Sequence, residues 1–186
     1  MPGPHLSYFL CATPRSGSTL LSAALASTGL AGSPDEFFCH LRGYGESYQG
    51  WDFSDYEAYI RRVVEATATP NGVFGAKMMG GFVGDFVSRV RSIPALADPS
   101  LPLRGALDRL FPNLHHIWLT RRNKVRQAVS WWMATQTEQW TSEQIARAQH
   151  EPRYDFAAID HLVQEIVIRE AALQSYFDEM EVEPYV

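Results

Sequence analysis

Positive charge is in short supply in this chain. Its 16 Lys and Arg residues face 21 Asp and Glu residues, for a formal net charge of −5. That balance argues against bulk electrostatic binding of nucleic acid, but a small anion needs only a few well-placed donors. Cysteine is scarce too. Cys11 and Cys39 form no metal-ligand spacing and cannot build a disulfide framework. Cys11 lies in an apolar run and reads as a small core residue. No run of about 18 apolar residues occurs, so no integral membrane segment is expected. The N-terminus lacks the basic flank and long apolar stretch of a secretion signal, which makes the cytoplasm the expected compartment. Pro and Gly are scattered, and the chain has neither internal repeats nor low-complexity tracts.

What remains is the composition of a globular protein, 46% hydrophobic and 20% charged, in 186 residues. We expect a single domain over residues 1–186, long enough to bury a core. Leu6–Ala12 (LSYFLCA) is short and apolar, as a buried strand should be. TPRSGST follows as a cluster of turn formers, then LLSAALASTGL, with Leu20, Leu21, Ala24 and Leu25 at helical spacing and Gly29 as a stop. Residues 31–50 look irregular. Ser54 and Glu57 resemble a capping box ahead of a helix with Tyr56, Tyr59, Ile60, Val63 and Val64 on one face, closed by Pro70 and Gly72.

Val73–Met79 reads as a second strand, Phe82–Val90 and Leu103–Leu110 as helices, and Leu114–Thr120 (LHHIWLT) as a third strand. Asn123 is placed to cap the helix KVRQAVSWWMATQ. From Asp155 to about Glu179 the apolar residues Phe156, Ile159, Leu162, Val163, Ile166, Val167 and Leu173 mark one helix face. The closing VEPYV looks like a strand just starting. Alternating strands and helices predict an α/β fold, a P-loop-like parallel sheet with helices on both faces. Ligands of such sheets bind beyond the carboxyl ends of the strands.

Two anion motifs lie at those ends. Ala12–Thr19 (ATPRSGST) keeps the spacing of G-x-x-x-x-G-K-[ST], with Ala12, Gly17, Ser18 and Thr19 in register. The lysine is replaced by Ser18, and Arg15 stands earlier in the loop. A loop before a helix N-terminus offers backbone N–H groups to an anion. Gly17 allows close approach, the hydroxyls of Ser16, Ser18 and Thr19 add donors, and Arg15 forks onto oxygens. The bland alternative is an ordinary loop with a capping serine. The second motif is LTRRNKVRQAVSWW, where Ser130 lies about two helical turns beyond Arg121 and Arg122.

FLCATPRSGSTLL resembles the 5'-phosphosulfate loop of sulfotransferases that use 3'-phosphoadenosine 5'-phosphosulfate (PAPS). Arg122 and Ser130, eight residues apart, resemble that family's 3'-phosphate site, with Arg121 a close competitor for the same role. SPDEFF, NGVFGAKMM and RQAVSWWMATQTEQW are similar to the trehalose 2-sulfotransferases of mycobacteria, and the similarity runs from about residue 7 to residue 186. The resemblance implies the sulfotransferase fold, with PAPS as co-substrate, PAP as product and no metal. It implies a small-molecule carbohydrate acceptor and a homodimer, although no interface can be derived from the sequence. Family members continue further, so the resemblance also implies a chain truncated at the C-terminus.

The same resemblance makes Glu36 the general base for the acceptor hydroxyl, against the alternative of a structural loop carboxylate. Asp35 beside it is not equivalent. Arg15 would stabilise the charge on the bridging oxygen. Lys77 either helps to stabilise that charge or pairs with a carboxylate under the sheet. Trp131, Trp132, Trp140, Trp51, Phe37 and Phe38 either line the adenine or acceptor site or pack in the core. His115 and His116 alternate within a strand, one toward the core and one toward the opposite layer. Arg61, Arg62, Arg89 and Arg91 read as solvated surface. Two other function classes stay open. A P-loop kinase or hydrolase predicts a lysine after Gly17 and a carboxylate for Mg²⁺; a noncatalytic module predicts PAPS or PAP binding without turnover.

Overall fold

The computed structural model describes residues 4–39, 50–140 and 152–186. The Gly- and Tyr-containing stretch after SPDEFF therefore lies mostly outside the described residues. Three strands, β1 (Leu6–Ala12), β2 (Val73–Met79) and β3 (Leu114–Leu119), form a parallel sheet in the order β2-β1-β3. They are the three apolar runs predicted, with Thr120 falling just beyond β3. Ala12 lies opposite both Met79 and Leu119, which brings the three carboxyl ends level at one edge of the sheet. Central β1 is buried from Ser7 to Ala12, as expected of a parallel strand covered on both faces.

Among the described residues, six α-helices accompany the sheet: α1 (Ser18–Ser27), α2 (Tyr56–Thr67), α3 (Val83–Arg91), α4 (Leu103–Leu110), α5 (Lys124–Thr137) and α6 (Phe156–Met180). One sheet face carries Phe9, Cys11, Phe74, Ala76, Met78 and His116. Helices α2, α3 and α4 and the second half of α6 cover it, making the main core. Phe9 is its hub, with ring centroids of Phe111, Phe86, His116 and Phe38 at 5.0, 5.7, 5.8 and 6.3 Å. Aromatic pairs at these tilted and edge-on geometries contribute beyond area burial.

The other face carries Tyr8, Leu10 and Lys77. There Tyr8 Oη donates to the carbonyl of Ala31, just past α1, at 2.6 Å. A Cβ on Gly75 would collide with the Tyr8 ring, so glycine makes room for it. Helices thus flank both faces, the α/β architecture predicted. The histidines divide as expected. His116 is in the core with Nε2 2.8 Å from Tyr176 Oη, and His115, on the opposite face, lies near Tyr185 at 6.3 Å between centroids. Burial, and after it the charge of His115, lowers His116 to about 4. The closing residues also behave as a strand start. Tyr185 N–H donates to His116 O at 3.0 Å, and Trp118 N–H donates to Tyr185 O at 2.7 Å.

Helix α6 joins two regions. Its second half meets the sheet, while Ile159 and Ile166 in its first half pack on Ala128, Trp131 and Trp132 of α5. Asn123 Oδ1 accepts from Arg126 N–H at 2.9 Å, so α5 has the predicted cap. Three expectations are corrected. The cap of α2 is Asp55, which accepts from Ala58 N–H at 3.0 Å; Ser54 instead donates to Asp52 at 2.7 Å. In α1 the buried residues are Ser18 and Ser22, and Leu20 is 77% exposed. The helix turns its serines inward, so its apolar stripe does not face the sheet. In α6, Phe156 and Val167 are exposed, because the helix crosses two supports and its buried face is not one straight stripe. No helix among the described residues is long and apolar enough to cross a membrane.

Candidate active site

The chain leaves the carboxyl end of β1 through a strained loop. Arg15 adopts φ 64° and Gly17 φ 102°. The left-handed region costs a non-glycine residue roughly 1 kcal/mol or more, so the fold holds Arg15 in a disfavoured conformation. Gly17 is the N-cap of α1 and offers no side-chain cap, and no acidic residue occupies the first turn. The amides of that turn are therefore left for an anion, at the positive end of the helix dipole. Ser16 Oγ is buried without a partner. Thr13 and Ser18 are buried as well, while Thr19 is exposed.

The second motif folds back onto this loop. Arg15 Nε donates to Ser130 Oγ at 3.0 Å, and its Nη1 donates to the Trp140 carbonyl at 2.7 Å. Arg121 Nη1 donates to the Arg15 carbonyl at 3.4 Å. Partial burial, and then the neighbouring Arg121 guanidinium, lowers the Arg15 pKa below its ordinary value. Two cations and a set of hydroxyls thus converge, an arrangement suited to an anion. Arg122 is exposed. Of the two candidates, Arg121 is the one that reaches the loop.

A third group lies two residues short of the same sheet edge. Lys77 of β2, its side chain 7% exposed, places Nζ 3.0 Å from Glu36 Oε1 and 3.7 Å from Asp35 Oδ1. The Lys77 N–H donates to the Asp35 carbonyl at 2.9 Å, and Asp35 Oδ1 accepts from Glu36 N–H at 2.8 Å. These bonds fasten the 35–36 segment beside β2. Lys77 thus pairs with carboxylates, Glu36 at the shorter distance. At 41% exposure the Glu36 side chain remains open to solvent.

A family model described as Stf0 sulphotransferase matches residues 7–186. The chain belongs to the Stf0 sulphotransferase family. It is 32% identical over 201 residues to the trehalose 2-sulfotransferase of Mycolicibacterium smegmatis, covering 96% of this chain and 75% of the relative. With the trehalose 2-sulfotransferase of Mycobacterium tuberculosis the identity is 29% over 201 residues, covering 95% and 74%.

Other residues singled out in the sequence sit elsewhere in this Stf0 fold. Phe37 is a core residue, 3% exposed and stacked on Phe74 at 6.2 Å. Its backbone carbonyl accepts from Tyr59 Oη at 2.7 Å, which fixes the ring inward. Trp132 packs between α5 and α6, and its Nε1 donates to Arg153 O at 2.8 Å. Trp131 lies under the Arg169 guanidinium at 4.8 Å. Both rings serve helix packing. Arg61 pairs with Glu57, Arg89 with Asp85 and Arg91 with Glu179, and Arg62 lies over Trp51 at 3.9 Å.

Sequence reasoning missed two polar groups beside this edge of the sheet. Gln127 Nε2 donates to Thr13 Oγ1 at 2.9 Å and to Pro14 O at 2.7 Å. At the end of β3, Thr120 Oγ1 donates to Glu170 Oε1 at 2.8 Å, and Lys124 Nζ donates to both. The signal for Gln127 was its position one turn before Ser130 on the same helix; nothing in the sequence pointed to Glu170.

Proposed function

We propose that this chain transfers a sulfuryl group from PAPS to a hydroxyl of a carbohydrate, with trehalose or a related glycoside as acceptor. The observation that carries the reading is the Arg15–Ser130 hydrogen bond. It joins a phosphate-type loop to an arginine–serine motif in a chain whose family is one of sulfotransferases. PAPS has two anionic ends, and the fold offers two groups of donors. The uncapped first turn of α1, with the unpartnered Ser16 hydroxyl, suits the 5'-phosphosulfate. Arg121 and Ser130 suit the 3'-phosphate, with Arg122 close by as a further cation. PAPS supplies the activated sulfuryl group.

The chain's own residues then do three things. Backbone N–H groups and the hydroxyls of Ser16, Ser18 and Thr19 hold the phosphosulfate in line with the acceptor. Glu36 takes the proton of the attacking hydroxyl as its oxygen bonds to sulfur. Arg15 meets the negative charge that collects on the bridging oxygen as the old sulfur–oxygen bond breaks and PAP leaves. Lys77 orients Glu36 through the 3.0 Å contact. The acceptor assignment rests on the names of the two mycobacterial relatives.

The test is turnover with labelled PAPS and trehalose, beside PAP affinity. Glu36→Gln should lower turnover about 10²- to 10⁴-fold and leave PAP affinity within about twofold. A fully active Glu36→Gln protein ends the general-base role, and a wild-type protein that binds PAP but sulfates no carbohydrate ends the acceptor class.

A further inference from the structure

Gln127 is a polar side chain with 0% exposure. It sits on α5 one turn before Ser130, and its amide nitrogen holds both Thr13 Oγ1 and the Pro14 carbonyl. Thr13 is itself fully buried. The amide oxygen, by contrast, is buried with no partner. An apolar side chain of the same volume would avoid leaving such an acceptor unpaired. What the amide adds is fixed geometry. Its two bonds end on the residues immediately before Arg15, and Arg15 reaches Ser130 one turn further along the same helix. The link from Gln127 to Thr13 and Pro14 therefore sets the register between the two anion motifs.

We infer that Gln127 is a positioning residue. It clamps the loop to α5 so that the loop and Ser130 engage the same donor molecule. This rests on the PAPS reading given above. Gln127→Met keeps the volume and removes both hydrogen bonds. Calorimetric titration with PAP of the wild type, Gln127→Met, Ser130→Ala and the double variant measures the consequence. The methionine variant is expected to bind PAP roughly tenfold more weakly. Ser130→Ala should then cost roughly threefold less in that background than alone, because Ser130 is no longer held in register.

A role confined to stability would leave the two losses additive. Additive losses overturn the role of Gln127 while the PAP site stands, whereas a wild-type protein without affinity for PAP overturns both. Thr13→Ala breaks the same link from the loop side without touching α5. Its cycle with Ser130→Ala decides between the same outcomes should Gln127→Met fail to fold.

Discussion

The covered face of the sheet and its carboxyl edge follow opposite rules. Under α2, α3 and α4 the chain buries a cluster of aromatic rings around Phe9, with Ser7 Oγ, Tyr56 Oη and Trp118 Nε1 buried there without partners. At the edge, Arg15 and Gly17 take left-handed conformations, Ser16 Oγ and Gln127 Oε1 are buried without partners, and two arginines crowd together. One region concentrates aromatic burial; the other combines a strained loop with crowded positive charge. Because the edge is anchored to the core through β1, the strain is supported by packing a few residues away. Such costs persist where the surroundings over-determine them, and they are typical of functional sites.

The largest break in this contrast should come from the core. Phe9→Ala removes the hub ring, and the protein is expected to lose about 3–5 kcal/mol of stability. Denaturant unfolding measures that loss. PAP affinity of the protein that remains folded should be nearly unchanged, because the Phe9 ring packs on Phe38, Phe86, Phe111 and His116 within the core.

Next in size is a pH effect of the same core. His116 is lowered to about 4 by burial and then by His115, against an ordinary value near 6.5 in the unfolded chain. Between these values the unfolded state binds more protons than the native one. Stability is therefore full above about pH 6.5 and falls as pH drops toward about 4. The loss over that window should be on the order of 3 kcal/mol, read from unfolding midpoints at a series of pH values. A flat profile between pH 7 and pH 4.5 would mean that His116 is not buried in neutral form.

The smallest effect sharpens the other side. Asn123→Ala removes the cap of α5 and should cost about 1 kcal/mol. Because α5 carries Gln127 and Ser130, the variant should also weaken PAP binding a few-fold, a signature that Phe9→Ala lacks. Equal PAP affinity for the two variants would erase the distinction between scaffold and edge.

The strands were legible because each is a short apolar run bounded by turn formers, and the cap at Asn123 because local hydrogen bonding decides it. The two anion motifs were legible as spacing. What spacing leaves undetermined is direction. The stripe of Leu20, Leu21, Ala24 and Leu25 gave α1 a helical period, but the side chains the helix buries are Ser18 and Ser22. Phe37 stands beside Glu36 in the sequence, yet one turns into the core while the other reaches Lys77. The Arg15–Ser130 contact spans 115 residues, and Gln127 earns its place only through partners on a distant loop. Tertiary geometry also separates Arg121 from Arg122, which the sequence presents as equals.

The central claim is that the edge is a PAPS site. Calorimetric titration of the wild-type protein with PAP, with ATP plus Mg²⁺ as competitor, tests it most directly. Tight binding of PAP that ATP and Mg²⁺ displace poorly is the predicted result, since Ser18 stands where a nucleotide hydrolase carries lysine. Preference for ATP, or no affinity for PAP, would contradict it.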